Sequence, residues 1–297
     1  MRIVLHGDQA DRVDIREAVV ALRADGHDID VRVTWEDGHA SIFTAEVAHE
    51  VDVVVAAGGD GTVSDVAEAL VGAGEASAAL AVLPLGTAND FAAAAGIPLD
   101  DLTAALQLAV DPRAVRDIDV LTVGGRVVLN VATAGPGTRV TVDTPKGLKR
   151  ALGGLSYAIA GVAQLATFEA QRGTLRGPDF EWTGDFLALA VGNGRQAGGG
   201  VALCPDARVD DGLLDIRVIL EGDGAGALLI DGLLRGGEIA LDEGSIEHRA
   251  PWVEIETADT LHVNLDGEPI EGTRFRFEVA PRALRAVLPN GSPLLEA

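Results

Sequence analysis

Residues 51–62 read Val51-Asp52-Val53-Val54-Val55-Ala56-Ala57-Gly58-Gly59-Asp60-Gly61-Thr62, and the fold class turns on this stretch. Val51–Ala57 is an apolar run of strand length, the pattern of a strand buried on both faces. Gly58–Thr62 then supplies a flexible turn. Val63, Val66, Ala67, Leu70 and Val71 follow at the spacing of one helix face. Working outward, Arg2–Leu5 reads as a short strand, and Ile15, Ala18, Val19 and Leu22 again mark one helix face. Gly26 is a plausible helix stop. Asp28–Thr34 alternates as a strand, Ser41–Glu50 reads as a helix, and Ala78–Leu83 as another buried strand. Strands alternating with helices predict an α/β domain built on a parallel sheet with helices on both sides.

Past about residue 119 the pattern changes. Val120–Val123 and Val127–Ala132 flank Gly124-Gly125, a hairpin signal. A helical segment over roughly 147–168 interrupts. Phe186–Val191, Leu213–Val218, Val253–Thr257, Leu261–Leu265 and Phe275–Val279 then read as strands, the last three half-buried and antiparallel. The expected organisation is therefore an α/β domain over 1–119 and a mainly β domain over 120–280.

Composition narrows the function. The chain has 297 residues, 46 acids against 23 bases, and a net charge of −23. Such a surface argues against wrapping nucleic acid and disfavours long-range attraction of anionic substrates. A single cysteine, Cys204, cannot form an internal disulfide, so a reducing cytoplasm is expected. The opening apolar run of three residues is too short for a signal peptide, and no uncharged apolar stretch reaches the ~18 residues of a membrane span. Both lysines, Lys146 and Lys149, lie beside Arg150 and ahead of apolar residues. This cluster reads as a solvated helix start or as a transient contact with the inner face of a membrane.

The glycine turn at 58–62 leaves backbone N–H groups at a helix start, a setting that favours phosphate. Asp60 is anomalous there unless a divalent cation bridges carboxylate and phosphate. The alternative is a tight turn in which Asp60 and Thr62 cap the helix. Leu83–Phe91 is a second strand–turn–helix, with Gly86 flexible and Thr87 able to cap the helix or touch phosphate. Asn89 and Asp90 could orient the first loop or a ligand. Two such turns after successive strands open at one sheet edge, where α/β folds bind ligands.

AGGDGT at 57–62 followed by LPLGTANDFA at 83–92 resembles the diacylglycerol kinase catalytic-domain family, within it the bacterial YegS-type lipid kinases. VRVTWEDG at 31–38, ALGGLSYAI at 151–159, GNGRQAGGG at 192–200, DDGLLDIRV at 210–218 and NLDGEPIEG at 264–272 extend the resemblance. It implies a Rossmann-like domain of the NAD kinase and diacylglycerol kinase type, a mainly β domain, and ATP between them. It also implies that 281–297 returns to the first domain, with Leu284–Leu288 as the returning strand. Thr34, Gly59, Asp60, Gly61, Thr62, Val63, Ser64, Asp65 and Thr87 are the implied nucleotide contacts. Glu268 is the implied base, with Asp60 as its catalytic companion. Asp211 with the carbonyls of Arg208 and Leu213 is the implied Mg²⁺ site, which could also take Ca²⁺. Two departures weaken the grip on phosphate or metal: Ser64-Asp65 stands where Asn-Glu is common, and His6-Gly7-Asp8 stands where the first loop commonly carries Asn and Lys.

The residues alone leave other readings open. Asp266-Gly267-Glu268-Pro269 could be a solvated hairpin turn, and Asp206–Leu214 an acidic solvated loop. Arg195 could offset substrate charge or pair with a structural acid. The expected activity is an ATP- and Mg²⁺-dependent kinase acting on a lipid presented at a membrane. Phosphatidylglycerol is the implied acceptor, with diacylglycerol or a sphingoid base as alternatives. The rivals are an NAD kinase and a nucleotide-sensing module without turnover.

Overall fold

A computed structural model of the chain describes residues 1–75, 78–135, 170–221, 237–238 and 244–295. The helix expected near 147–168, and Lys146, Lys149 and Arg150, lie outside the described residues. The chain divides into one unit of Met1–Val120 with Pro281–Ala297 and another of Leu121–Ala280.

The first unit alternates β1 (Arg2–Leu5), α1 (Val13–Ala24), β2 (Asp30–Val33), α2 (His39–Ala45), β3 (Val53–Gly58), α3 (Asp60–Gly72), β4 (Ala79–Pro84), α4 (Asp90–Ala95) and α5 (Leu102–Ala109). The four strands are parallel in the order β4-β3-β1-β2. Every residue of β3 and β4 is buried, as their apolar runs require. The helices α2 and α3 pack on one another, as do α1 and α5. At the sheet edge the nearly buried Arg2 guanidinium pairs with Asp30 at 2.7 Å and Glu46 at 2.9 Å, tying β1 to β2 and to the end of α2.

One boundary differs from expectation in a way that matters. The turn read as Gly58–Thr62 is mostly helix: Gly58 ends β3, Gly59 is the N-cap, and Asp60 already lies in the first turn of α3. A Cβ on Gly58 would lie 2.3 Å from the Thr62 Oγ1 atom, so the glycine is what lets strand and helix meet through a loop of one linking residue, Gly59.

The second unit holds β5 (Val115–Val123, shared with the first), β6 (Arg126–Val128), β7 (Val131–Ala134), β8 (Gln171–Arg176), β9 (Glu181–Gly192), β10 (Gln196–Ala197), β11 (Val201–Ala202), β12 (Leu214–Leu220), β13 (Gly237–Glu238), β14 (Ser245–Ala250), β15 (Trp252–Leu265) and most of β16 (Glu268–Val287). The main order is β14-β12-β9-β7-β15-β16, antiparallel, with β8 beside β9 and β15. Phe186, Phe277, Leu175, Leu121 and Val253 lie in its core. Gly124 and Gly125 both have positive φ, which the two-residue β5–β6 turn requires.

The strands expected at Val253–Thr257 and Leu261–Leu265 form one strand, β15, whose register shifts between Glu256 and Leu261. The strand expected at Phe275–Val279 lies within β16. Of the residues expected as the returning strand, Leu284–Leu288, 284–287 end β16, where Ala286 pairs in parallel with Leu80 of β4 in the first unit, and Leu288 lies beyond the strand.

Candidate functional site

In the first unit the two glycine loops are built against each other. The Leu85 N–H donates to the Gly58 carbonyl at 2.9 Å, continuing the β3–β4 pairing into the loops. A Cβ on Gly86 would lie 2.5 Å from the Gly59 Cα, so the backbones meet where no side chain fits. Asn89 holds the second loop closed: its Oδ1 accepts from the Gly86 N–H, and its Nδ2 donates to the Gly86 carbonyl, both at 2.9 Å. Asn89 adopts φ 53°, a left-handed conformation that Asn tolerates better than most residues.

Asp60 joins the loops. Its Oδ2 accepts from the Asn89 N–H at 2.9 Å and its Oδ1 from the Asp90 N–H at 2.7 Å. The capping alternative is thereby corrected: neither Asp60 nor Thr62 caps α3, whose N-cap is Gly59, and Asp60 caps α4 instead. Thr87 does not cap either, because α4 begins only at Asp90 with Asn89 as N-cap; Thr87 is exposed. The Asp60 carboxyl is pushed above the usual carboxylate range, first by burial and then by the Asp90 carboxylate, with the backbone donors opposing.

The remaining expected contacts divide by exposure. Gly61 and Asp65 are exposed, Gly59 and Ser64 half-buried, and Thr62 nearly buried. Val63 is 4% exposed and packs into the core, so only its backbone could face a ligand. Thr34 follows β2, where its Oγ1 accepts from the Gly7 N–H at 3.2 Å. These features fit a nucleotide phosphate: bare backbone at Gly59 and Gly86, a helix start without a capping side chain, and a hydroxyl nearby. The raised Asp60 carboxyl beside Asp90 fits a divalent cation, which would relieve the like-charge contact.

In the second unit Asp266 and Gly267 form the β15–β16 turn, with φ of 46° and 100° and Leu265 paired to Glu268. Asp266 does more than form the turn. Its Oδ2 accepts from the Leu129 N–H at 2.7 Å and the Asn130 N–H at 3.2 Å. The Asn264 Oδ1 accepts from the Gly267 N–H at 2.8 Å. Fully buried Asn193 braces the same segment, its Nδ2 donating to the Leu129 carbonyl at 3.0 Å. Glu268 therefore projects from a tethered turn, its side chain 64% exposed and 3.5 Å from the Arg126 guanidinium. Sequence reasoning missed Asn264, Asn130 and Asn193, although Asn264 and Asn193 stand within the 264–272 and 192–200 motifs; Asn130 lies only in the expected strand Val127–Ala132. Arg195 has a use that neither open reading included: its Nε donates to the Ala207 carbonyl at 3.0 Å. Cys204 is buried, and burial pushes its thiol up, which makes it a poor nucleophile.

The Asp211 loop precedes β12. One Asp211 oxygen accepts from the Leu213 N–H at 3.0 Å, and the other meets the Arg249 guanidinium, which also reaches Asp215 at 3.2 Å. Arg208 and Leu213 are half-buried. Among the described residues no three His, Cys, Asp or Glu side chains gather as ligands. Arg249 thus brings positive charge to the acids expected to need a cation, and a cation at Asp211 has to compete with it. Asp211→Ala is expected to lower Tm by about 2–6 °C, from roughly 1–2 kcal/mol of lost pairing, and to remove stabilisation by added Mg²⁺. Arg249→Gln is expected to enlarge the Mg²⁺ shift. Equal shifts in parent and both variants would show that the loop holds no cation.

Residues 4–123 match the diacylglycerol kinase catalytic domain, and residues 130–288 the YegS C-terminal NAD kinase beta sandwich-like domain. The chain is 51% identical over 296 residues to a Pseudomonas aeruginosa (strain UCBPP-PA14) protein named "Probable lipid kinase YegS-like", covering 99% of this chain and 95% of that one. A protein of the same name from Xanthomonas oryzae pv. oryzae (strain MAFF 311018) is 47% identical over 303 residues, covering 99% and 97%. The crystal structure of a diacylglycerol kinase from Bacillus anthracis str. Sterne superposes with a TM-score of 0.75 at 22% identity, over 98% of this chain and 97% of that one. That last likeness bears on the fold alone.

Proposed function

The chain belongs to the diacylglycerol kinase catalytic-domain family and is a lipid kinase, and from this premise we propose that it transfers the γ-phosphate of ATP to a free hydroxyl of a glycerol-type lipid, phosphatidylglycerol first. The observation that carries the reading is the Asp60 joint, which holds two glycine loops backbone to backbone at the ends of β3 and β4. Thr34, Gly59, Asp60, Gly61, Thr62, Val63, Ser64, Asp65 and Thr87 are the proposed nucleotide residues.

Bound Mg²⁺ would neutralise phosphate charge, and Asp60 is the residue proposed to hold it. Glu268 is proposed to accept the lipid hydroxyl proton as the hydroxyl oxygen bonds to the γ-phosphorus and the bond to the ADP oxygen breaks. The Asp211 loop, with the carbonyls of Arg208 and Leu213, is the proposed bracing site for Mg²⁺ or Ca²⁺. The lipid would be met by transient contact with the inner membrane face. No helix among the described residues is long and apolar enough to cross a membrane.

The deciding experiment supplies labelled ATP with phosphatidylglycerol, diacylglycerol and sphingoid-base micelles, and separately with NAD. Label is expected in phosphatidylglycerol. Label in NAD instead would make the protein an NAD kinase, and ATP binding with no acceptor labelled would make it a nucleotide sensor.

A further inference from the structure

Trp35 is 84% exposed, far more than a large aromatic side chain usually is. It stands one residue beyond Thr34, on a corner the backbone ties down. The Thr34 N–H donates to the Leu5 carbonyl at 2.9 Å, and the Gly7 N–H donates to the Thr34 Oγ1 at 3.2 Å. A Cβ on Gly7 would lie 2.4 Å from the Thr34 carbonyl oxygen, so the first loop packs directly on this corner. The His6 N–H donates to the Ala57 carbonyl at 2.9 Å, which ties the same loop to the end of β3. The Trp35 N–H donates to the His39 Nδ1 at 3.2 Å, holding the residue against the start of α2.

Trp35 therefore lies on a fixed edge of the first unit, at the end of β2. Gly59 and Asp60 follow the end of β3, and β1 lies between β2 and β3. Two strand spacings are about 10 Å, the scale of the reach from the phosphates of a nucleotide to its base. Glu36 and Asp37 follow Trp35, with the Glu36 side chain 81% exposed. Those acids disfavour an anionic lipid surface at this corner and also disfavour phosphate, which leaves the uncharged end of the nucleotide as the fitting occupant.

We infer that Trp35 is the stacking platform for the nucleotide base, opposite the phosphate loops on one sheet edge. The inference rests on the kinase reading for the presence of ATP, and it adds the base subsite. Because any base presents a π-face, the platform contributes affinity rather than choice of base.

The test compares parent, Trp35→Ala and Trp35→Phe. In Trp35→Ala the KM for ATP is expected to rise roughly 5- to 150-fold, the effect of losing one base stack, with kcat little changed. Trp35→Phe should recover most of it. The inhibition constant of inorganic tripolyphosphate, which carries phosphates and no base, should stay the same. An unchanged KM, or a tripolyphosphate constant that weakens as much as ATP, would overturn the inference, the second by showing that the corner only shapes the phosphate loops. ADP binding followed by tryptophan fluorescence reads the subsite without any turnover. A parent that binds ADP and phosphorylates no lipid would count against the kinase reading and leave the platform standing or falling on the fluorescence alone.

Discussion

Glu268→Gln is expected to lower turnover by about 10²–10⁴-fold, the usual worth of a general base. Gln keeps the side-chain shape and removes the proton acceptor. The lost interaction belongs to the transition state, so KM values for lipid and ATP should change little. Folding should survive, because the side chain is 64% exposed and its contact with Arg126, at 3.5 Å, is a surface pair of small worth. The turn that carries it is held by Asp266 and Asn264 and does not depend on the Glu268 carboxylate. A fall of less than roughly threefold in turnover would leave Glu268 a surface turn residue. The base would then have to be sought among Asp60, Asp90 and Asp266.

Asp60→Ala is expected to cut turnover by roughly 10³-fold or more, the scale set by removing a fixed electrostatic group from a phosphoryl-transfer site. Asp60 touches both loops, so its loss disturbs their alignment as well as any shared cation. The stability effect should be smaller than that role suggests. Cutting the carboxylate leaves the Asn89 and Asp90 amides without their acceptor, at about 1–3 kcal/mol, but it also removes a buried charge facing Asp90. The raised Asp60 carboxyl fixes the sign with pH. The native state holds this proton more tightly than the unfolded chain, so the contribution of Asp60 to stability is full below the ordinary carboxylate range and falls as pH rises above it. Asp60→Asn should therefore compare better with the parent in Tm at pH 7 than at about pH 4. Turnover equal to the parent in Asp60→Ala, with circular dichroism confirming a folded chain, would remove Asp60 from the chemistry.

Much of the α/β unit was legible because its periodicities are strong. Runs such as 53–57 and 79–83 have only one comfortable place, in strands covered on both faces. The helix α5 went unread although its signals are present: Asp101 caps it through the Ala104 N–H at 2.9 Å, and Ala105, Leu106 and Ala109 are buried on one face. β8 and β14 were missed for a different reason. Both are polar and half-exposed strands, recruited by pairing with β9, β12 and β15 rather than by apolar alternation of their own.

The site divides along the same line. The sequence alone determined which residue types stand where: glycines at strand ends, an acid inside the first glycine loop, and an Asp-Gly turn ahead of Glu268. These follow from local rules, since backbone freedom and turn chemistry are properties of a few adjacent residues. Only the tertiary structure decided what those residues touch. Asp60 reaches across 29 positions to cap a helix that is not its own, Asp266 grips amides 137 and 136 positions away, and Asp211 meets Arg249 from 38 positions along. A carboxylate satisfies whichever donors the fold brings within about 3 Å, and spacing along the chain carries no record of that choice.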